Sequence, residues 1–199
     1  MEQPIDTFLV KEKDMSKFLL QAEDCAIVVI DVQEKLFRAL EEQARQVFLR
    51  NSRILLETAR VLGMPLLVAE QYPKGMGRTI PEIDAQTHDL PRYEKICFSC
   101  YRDPAIRTRI DELARKTVIV MGIEAHVCVF QTVIDLLMAG YRAAAASDAV
   151  FSRRESDRAD AIREMSRAGA LIYSTEMIAF MLLEKAGTPQ FKQLAPFFK

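Results

Sequence analysis

Residues 117–140 read "TVIVMGIEAHVCVFQTVIDLLMAG". The apolar, β-branched run from Thr117 predicts a strand that ends at Gly122. From His126 the apolar residues recur at helical spacing, and Gly140 is a stop signal, so a helix is expected over 126–140. Cys128 then falls in the first helical turn, where backbone N–H groups point outward and the local field favours a thiolate. A strand running straight into a helix with a nucleophile at the join is the local signature of an α/β sheet whose site lies beyond the strand ends.

The same alternation repeats on both sides. "CAIVVIDV" (25–32) is a nearly continuous apolar strand of the kind buried on both faces of a parallel sheet. "EEQARQVFLRNSRILLETARVLG" (41–63) has helical periodicity and stops at Gly63. "MPLLVAE" (64–70) predicts a second strand and "YEKICFS" (93–99) a third, separated by a Pro- and Gly-rich loop, 71–92. A helix follows over 103–116, with Asp103 as N-cap and Pro104 at its first position. Beyond residue 140 come a fifth strand over 141–147, a helix within 152–169 with a Ser152/Glu155 capping box, a sixth strand over 170–174 and a helix through Lys185. Asp148 is expected to cap the turn after the fifth strand.

Strict β/α alternation predicts a three-layer α/β/α domain. Its six-stranded sheet is mainly parallel and doubly wound, in the order 3-2-1-4-5-6, which puts the first and fourth strands side by side at the switch point. One domain is expected over 1–199, with its core at about 22–185 and a helical tail at 186–199.

Composition narrows the function. A net charge of −1 argues against a nucleic-acid or anionic-membrane partner. No apolar stretch is long enough for a membrane span. The opening "MEQPIDTFLVKEKDM" lacks an apolar h-region, and the four cysteines form no small disulfide framework, so a cytoplasmic protein with free thiols is expected.

Three residues then converge on one crevice. Asp31 ends the first strand, Cys128 follows the fourth, and Lys95 lies on or just after the third with a stem long enough to reach over the second. Asp31 is placed to take the thiol proton, Lys95 to hold the carboxylate ionised and favour the thiolate, and the backbone of "EAHVC" to supply an oxyanion hole. Each residue type also has a plainer use: cysteine in packing, aspartate in capping, lysine in water. Charges clustered at a pocket predict that neutralising Asp31 or Lys95 cuts turnover with little loss of stability. Gln33, Phe37, Glu70, Tyr72 and His126 are candidate pocket residues, and Phe130 a candidate for its apolar rim. The single C-x-x-C, Cys97 to Cys100, has no second pair and reads as incidental thiols beside the site.

Together "VVIDVQEKLF", the lysine of "YEKICFS" and "GIEAHVCV" resemble the isochorismatase-like cysteine hydrolases, a superfamily that includes nicotinamidases and N-carbamoylsarcosine amidase. The resemblance spans Cys25 to Ser174. The stretches "VAEQYPKGMGRTIPEI" and "AIREMSRAGALIYSTEMIAFMLLEKAGTPQFKQL" look most like the isochorismatase domain-containing branch. The resemblance implies Cys128 as nucleophile, Asp31 as general base and Lys95 as the electrostatic partner of both. It also implies a cis peptide between Ile123 and Glu124 that turns the N–H groups of Glu124 and Cys128 toward an oxyanion.

Two departures matter. Nicotinamidases carry an Asp-x-His-x-x-His metal set after the second strand, where this chain has "EQYPKGMG" and no histidine. His88 and His126 lack ligand spacing, so no metal and no cofactor are expected. Isochorismatases that hydrolyse a vinyl ether lack the cysteine. The expectation is a metal-independent hydrolase of a small-molecule amide or related C–N bond. The alternatives are a silent oligomeric small-molecule-binding protein and a vinyl-ether hydrolase. The apolar end, with Phe180, Phe191, Phe197 and Phe198, predicts a homo-oligomer.

Overall fold

The computed structural model describes residues 15–199. The opening segment read for a leader, 1–15, lies outside the described residues apart from Met15. The elements in chain order are β1 (Cys25–Ile30), α1 (Glu34–Arg38), α2 (Glu42–Leu62), β2 (Leu66–Gln71), α3 (Pro73–Met76), α4 (Pro81–Thr87), β3 (Arg92–Lys95), α5 (Pro104–Glu112), β4 (Thr117–Ile123), α6 (Phe130–Met138), β5 (Arg142–Phe151), α7 (Glu155–Arg167), β6 (Leu171–Tyr173), α8 (Thr175–Leu183) and α9 (Pro189–Leu194).

The six strands form one all-parallel sheet in the order β3-β2-β1-β4-β5-β6, as the alternation predicts. Every residue of β1 and β4 is buried, because helices cover both faces. The pleat divides β1 between two cores. Cys25, Ile27 and Val29 face Phe48, Leu55 and Ala59 of α2 and Ile178 and Leu182 of α8. Val28 and Ile30 face Ile106 and Ile110 of α5, Val133 and Leu136 of α6, and Met165 of α7. α2 stops at Gly63, whose φ of 65° lets Met64 N–H return to the Ala59 carbonyl.

Five local expectations are corrected. The 71–92 segment is not a plain loop: α3 and α4 lie in it, each with a proline in its first turn. β3 ends at Lys95, before the expected 99, and the chain leaves the sheet at Ile96. β5 runs on to Phe151 because a bulge shifts its register on β4, where Val120 pairs with Ala145 and Gly122 with Val150. Asp148 therefore lies within the strand's span and reaches α8, accepting from Thr175 N–H and Oγ1 at 2.7 and 2.8 Å. Finally, α7 has no side-chain N-cap, since Ser152 is buried and bonded to His126 instead.

Candidate active site

The carboxyl ends of β1, β2, β3 and β4 gather the polar side chains. Asp31 follows β1 with φ 52°, and its N–H bonds to the Ala69 carbonyl of β2. Lys95 is the last residue of β3, paired in register with Gln71 on β2. Its stem crosses β2, and its Nζ donates to Asp31 Oδ2 at 2.7 Å, Gln71 Oε1 at 2.7 Å and the Phe98 carbonyl at 2.9 Å. Both side chains of the Asp31–Lys95 pair are 0% exposed. Asp31 Oδ1 is buried and has no hydrogen-bond partner among the described residues.

β4 delivers the thiol. Gly122 sits against the Ile30 carbonyl of β1, and the Ile123–Glu124 peptide is cis, the isomer the resemblance implies. Residues Ala125–Val129 then form a π-helical turn, in which Val127 and Val129 N–H both return to the Glu124 carbonyl. Such turns are frequent at functional sites. Helix-start N–H groups have no partner within the helix; here the Glu124 carbonyl takes up those of Val127 and Val129. Cys128 is 5% exposed, and its Sγ lies 4.0 Å from Gln71 Oε1. Thr132 Oγ1 donates to the Cys128 carbonyl and accepts from Cys100 N–H, tying α6 to the chain that follows β3.

The charges are strongly coupled. Burial pushes the Asp31 carboxyl above its ordinary range, although the Lys95 ammonium pulls the other way. Burial opposes the charge on Lys95, but the Asp31 carboxylate outweighs it and holds the ammonium protonated. The Cys128 thiol is pushed up by burial and then by Asp31, with Lys95 opposing. The resting sulfur is therefore a thiol, and the helix-start field is too small to make the thiolate that its position alone suggested.

The other candidates divide. Gln33 is buried and joins strand ends: it accepts from Gln71 N–H at 2.7 Å and donates to the carbonyls of Gln71 and Gly77. Glu70 is turned away from the thiol. Its Oε1 accepts from Thr79 N–H and Oγ1, and its Oε2 from Arg78 at 3.0 Å, so it anchors residues 78–79. Phe37 packs on Phe48 in the α2 core, and Phe130 packs in the opposite core. His126 Nδ1 meets Ser152 Oγ at 2.9 Å, and its Nε2 lies 3.8 Å from Asp157, which secures the turn to α7. Tyr72 lines a cavity of about 380 Å³ with Lys74, Lys95, Ile96 and Cys97, and neither Asp31 nor Cys128 borders it. Glu124 is buried, and its carboxylate accepts from Arg153 N–H. Among the described residues no group of three or more His, Cys, Asp or Glu is placed to hold a metal ion. Gln71 is the residue sequence reasoning missed. Its register opposite Lys95 was the only signal, and register is not written in one strand's sequence.

A doubly wound parallel sheet with a thiol, a carboxylate and an ammonium gathered at its β1/β4 switch point defines an α/β protein with a polar site beyond its strand ends. The chain belongs to the isochorismatase family: the Isochorismatase domain matches residues 25–177. It is 36% identical over 174 residues to isochorismatase domain-containing protein 2 of Bos taurus, covering 87% of this chain and 82% of that one. The solved MAR1 ribonuclease of Caenorhabditis elegans superposes with a TM-score of 0.82 at 34% identity, over 90% of this chain and 91% of the other. The Escherichia coli YcaC gene product, described as an octameric hydrolase of unknown specificity, shares the fold with a TM-score of 0.83 at 23% identity, over 90% and 89%. The fold is thus that of the isochorismatase-family hydrolases.

Proposed function

We propose that the chain is a metal-independent cysteine hydrolase that cleaves an amide or related C–N bond of a small molecule through an acyl group on Cys128. The observation that carries this is Asp31. One carboxylate oxygen is bound by Lys95, the other is buried and unpartnered, and the carboxylate is close enough to Cys128 to couple with its thiol.

In this reading Asp31 Oδ1 takes the Cys128 proton as sulfur attacks the carbonyl carbon. The N–H groups of Glu124 and Cys128 hold the oxyanion that forms. Collapse breaks the C–N bond, and the amine leaves with the proton from Asp31. Water then gives a proton to Asp31 and attacks the thioester, releasing the acid. The proton returns to sulfur, so the net change is amide plus water to acid plus amine. Lys95 is not the proton donor, because its N–H groups are all engaged. It keeps Asp31 charged between steps.

The site works within one domain, on a small molecule, without nucleic acid, membrane or cofactor, and in a homo-oligomer. The described residues hold no helix long and apolar enough to cross a membrane. The test is a screen of small amides, ureas and carbamates, with isochorismate included. RNA joins the screen because the C. elegans relative is named a ribonuclease. Wild type should hydrolyse at least one C–N substrate, and Cys128→Ala and Asp31→Asn should not. Turnover that survives Cys128→Ala would overturn the acyl-enzyme reading.

A further inference from the structure

Gln71 lies outside the Asp–Lys–Cys set, yet its side chain reaches two of its members. Its Oε1 accepts from Lys95 Nζ at 2.7 Å, and the same oxygen is 4.0 Å from Cys128 Sγ. We propose that Gln71 is a positioning residue whose side-chain carbonyl commits the Lys95 ammonium to Asp31 and keeps it off the Cys128 sulfur. The proposal rests on Asp31 acting as the base.

Valence makes the argument. An ammonium has three N–H bonds, and here three acceptors meet them: Asp31 Oδ2, Gln71 Oε1 and the Phe98 carbonyl. None remains for sulfur. The amide of Gln71 cannot turn over, because its Nε2 donates to the Ile96 carbonyl at 2.8 Å. A flip would set an NH2 group against the ammonium and an oxygen against a carbonyl. The backbone is held as well, by Gln33 on both its N–H and its carbonyl. Gln71 thus aims one oxygen at the ammonium and fixes the exposed segment Ile96–Phe98 through the same amide.

The consequence is a division of labour. Lys95 stabilises the Asp31 carboxylate but gives no hydrogen bond to sulfur, so Cys128 keeps its proton until Asp31 removes it during attack. Without Oε1, one Lys95 N–H loses its acceptor, and the Cys128 sulfur competes for it with the unpartnered Asp31 Oδ1. On the sulfur it would stabilise a thiolate in the resting protein; on Oδ1 it would occupy the oxygen that takes the proton, and in both cases the base would lose its proton-accepting role.

The experiment follows iodoacetamide alkylation of Cys128 against pH, read by peptide mass, in wild type, Gln71→Met and Gln71→Asn. Gln71→Met keeps the chain length and removes the acceptor. Gln71→Asn keeps the amide but draws it back, and it carries the test should the first variant fail to fold. The alkylation midpoint of Cys128 should fall by about one pH unit in either variant, since an opposite charge newly bonded to the thiolate lowers its proton affinity. On a substrate found by the screen, turnover should fall by about tenfold or more at the same time. A glutamine that only packs would change the alkylation rate by one factor at every pH and leave the midpoint in place. An unmoved or raised midpoint in a folded variant overturns the proposal. Asp31→Asn separates the two levels. It removes the charge beside the thiol, so an unmoved midpoint there sinks the assignment of Asp31 itself. A midpoint that moves for Asp31→Asn and not for the Gln71 variants sinks only the role of Gln71.

Discussion

At the scale of single residues, Asp31 and Lys95 have no exposed side-chain surface and meet at 2.7 Å. That burial overturns the expectation that neutralising either would cost little stability. Removing one partner leaves the other charge buried and unpaired, which costs about 3–5 kcal/mol. Asp31→Asn and Lys95→Met should each destabilise by that order in urea unfolding, and the double variant should cost clearly less than the two added together. Strict additivity would show that the pair is not one electrostatic unit. The thiols reorder as well. Cys97 is exposed, whereas Cys128 is nearly covered and its proton is held by burial and by Asp31. The sequence placed the reactive thiol at Cys128. In the folded protein without substrate, iodoacetamide near neutral pH should modify Cys97 first, and Cys128 only as the pH is raised. Peptide mapping that finds Cys128 labelled first would mean a resting thiolate.

At the scale of elements, the β1/β4 contact sets how closely Asp31 and Cys128 approach. Gly122 has φ 140°, and a Cβ added there would lie 2.0 Å from the Ile30 carbonyl oxygen, a backbone atom with no room to yield. Gly140, at the end of α6, also has a positive φ, but no atom lies within 4 Å of its would-be Cβ. Gly140→Ala should therefore cost only its left-handed strain, about 1–2 kcal/mol. Gly122→Ala should cost more than that and also separate the two strand ends. Melting curves that rank the two variants the other way round would show that the close approach is not a constraint. The bulge in β5 has a similar reach: it frees Asp148 to hold the start of α8, which neither segment's pattern announces.

For the whole molecule, proton binding by buried thiols sets an alkaline limit. Burial raises Cys25 to about 11 and Cys100 to about 12, and it raises Cys128 in the same direction. The unfolded chain releases these protons first as pH rises through the ordinary thiol value of about 8.5, so stability is full below that pH and declines above it. Each thiol should account for about 2 kcal/mol of lost stability by pH 10. Urea unfolding at pH 8 and pH 10 checks this, and equal midpoints would contradict it. Assembly is the other whole-molecule property. The aromatic tail is partly used internally: Phe180 packs on Phe191 and Phe198, and Arg53 lies over Phe197. Met138, Met177 and Phe180 still expose large apolar surface. Light scattering at micromolar concentration should give at least twice the 22.7 kDa of one chain, and a monomer mass would count against the homo-oligomer.

The sequence by itself determined the layers, the strand order and the trio Asp31, Lys95 and Cys128. Apolar periodicity and chain alternation are local signals, and the handedness of parallel crossovers leaves few topologies. Tertiary structure alone decided what those residues are. The register of β2 on β3 set Gln71 against Lys95, the β5 bulge sent Asp148 to α8, and Ser152 went to His126 rather than to a helix cap. Glu70 and Gln71 are neighbours in sequence, yet one anchors Arg78 and the other faces the thiol, because a strand turns successive side chains to opposite sides. The proton on Cys128 belongs to the same class: a thiol's charge state depends on how much water and how many charges surround it, and those are supplied by residues far away in the chain.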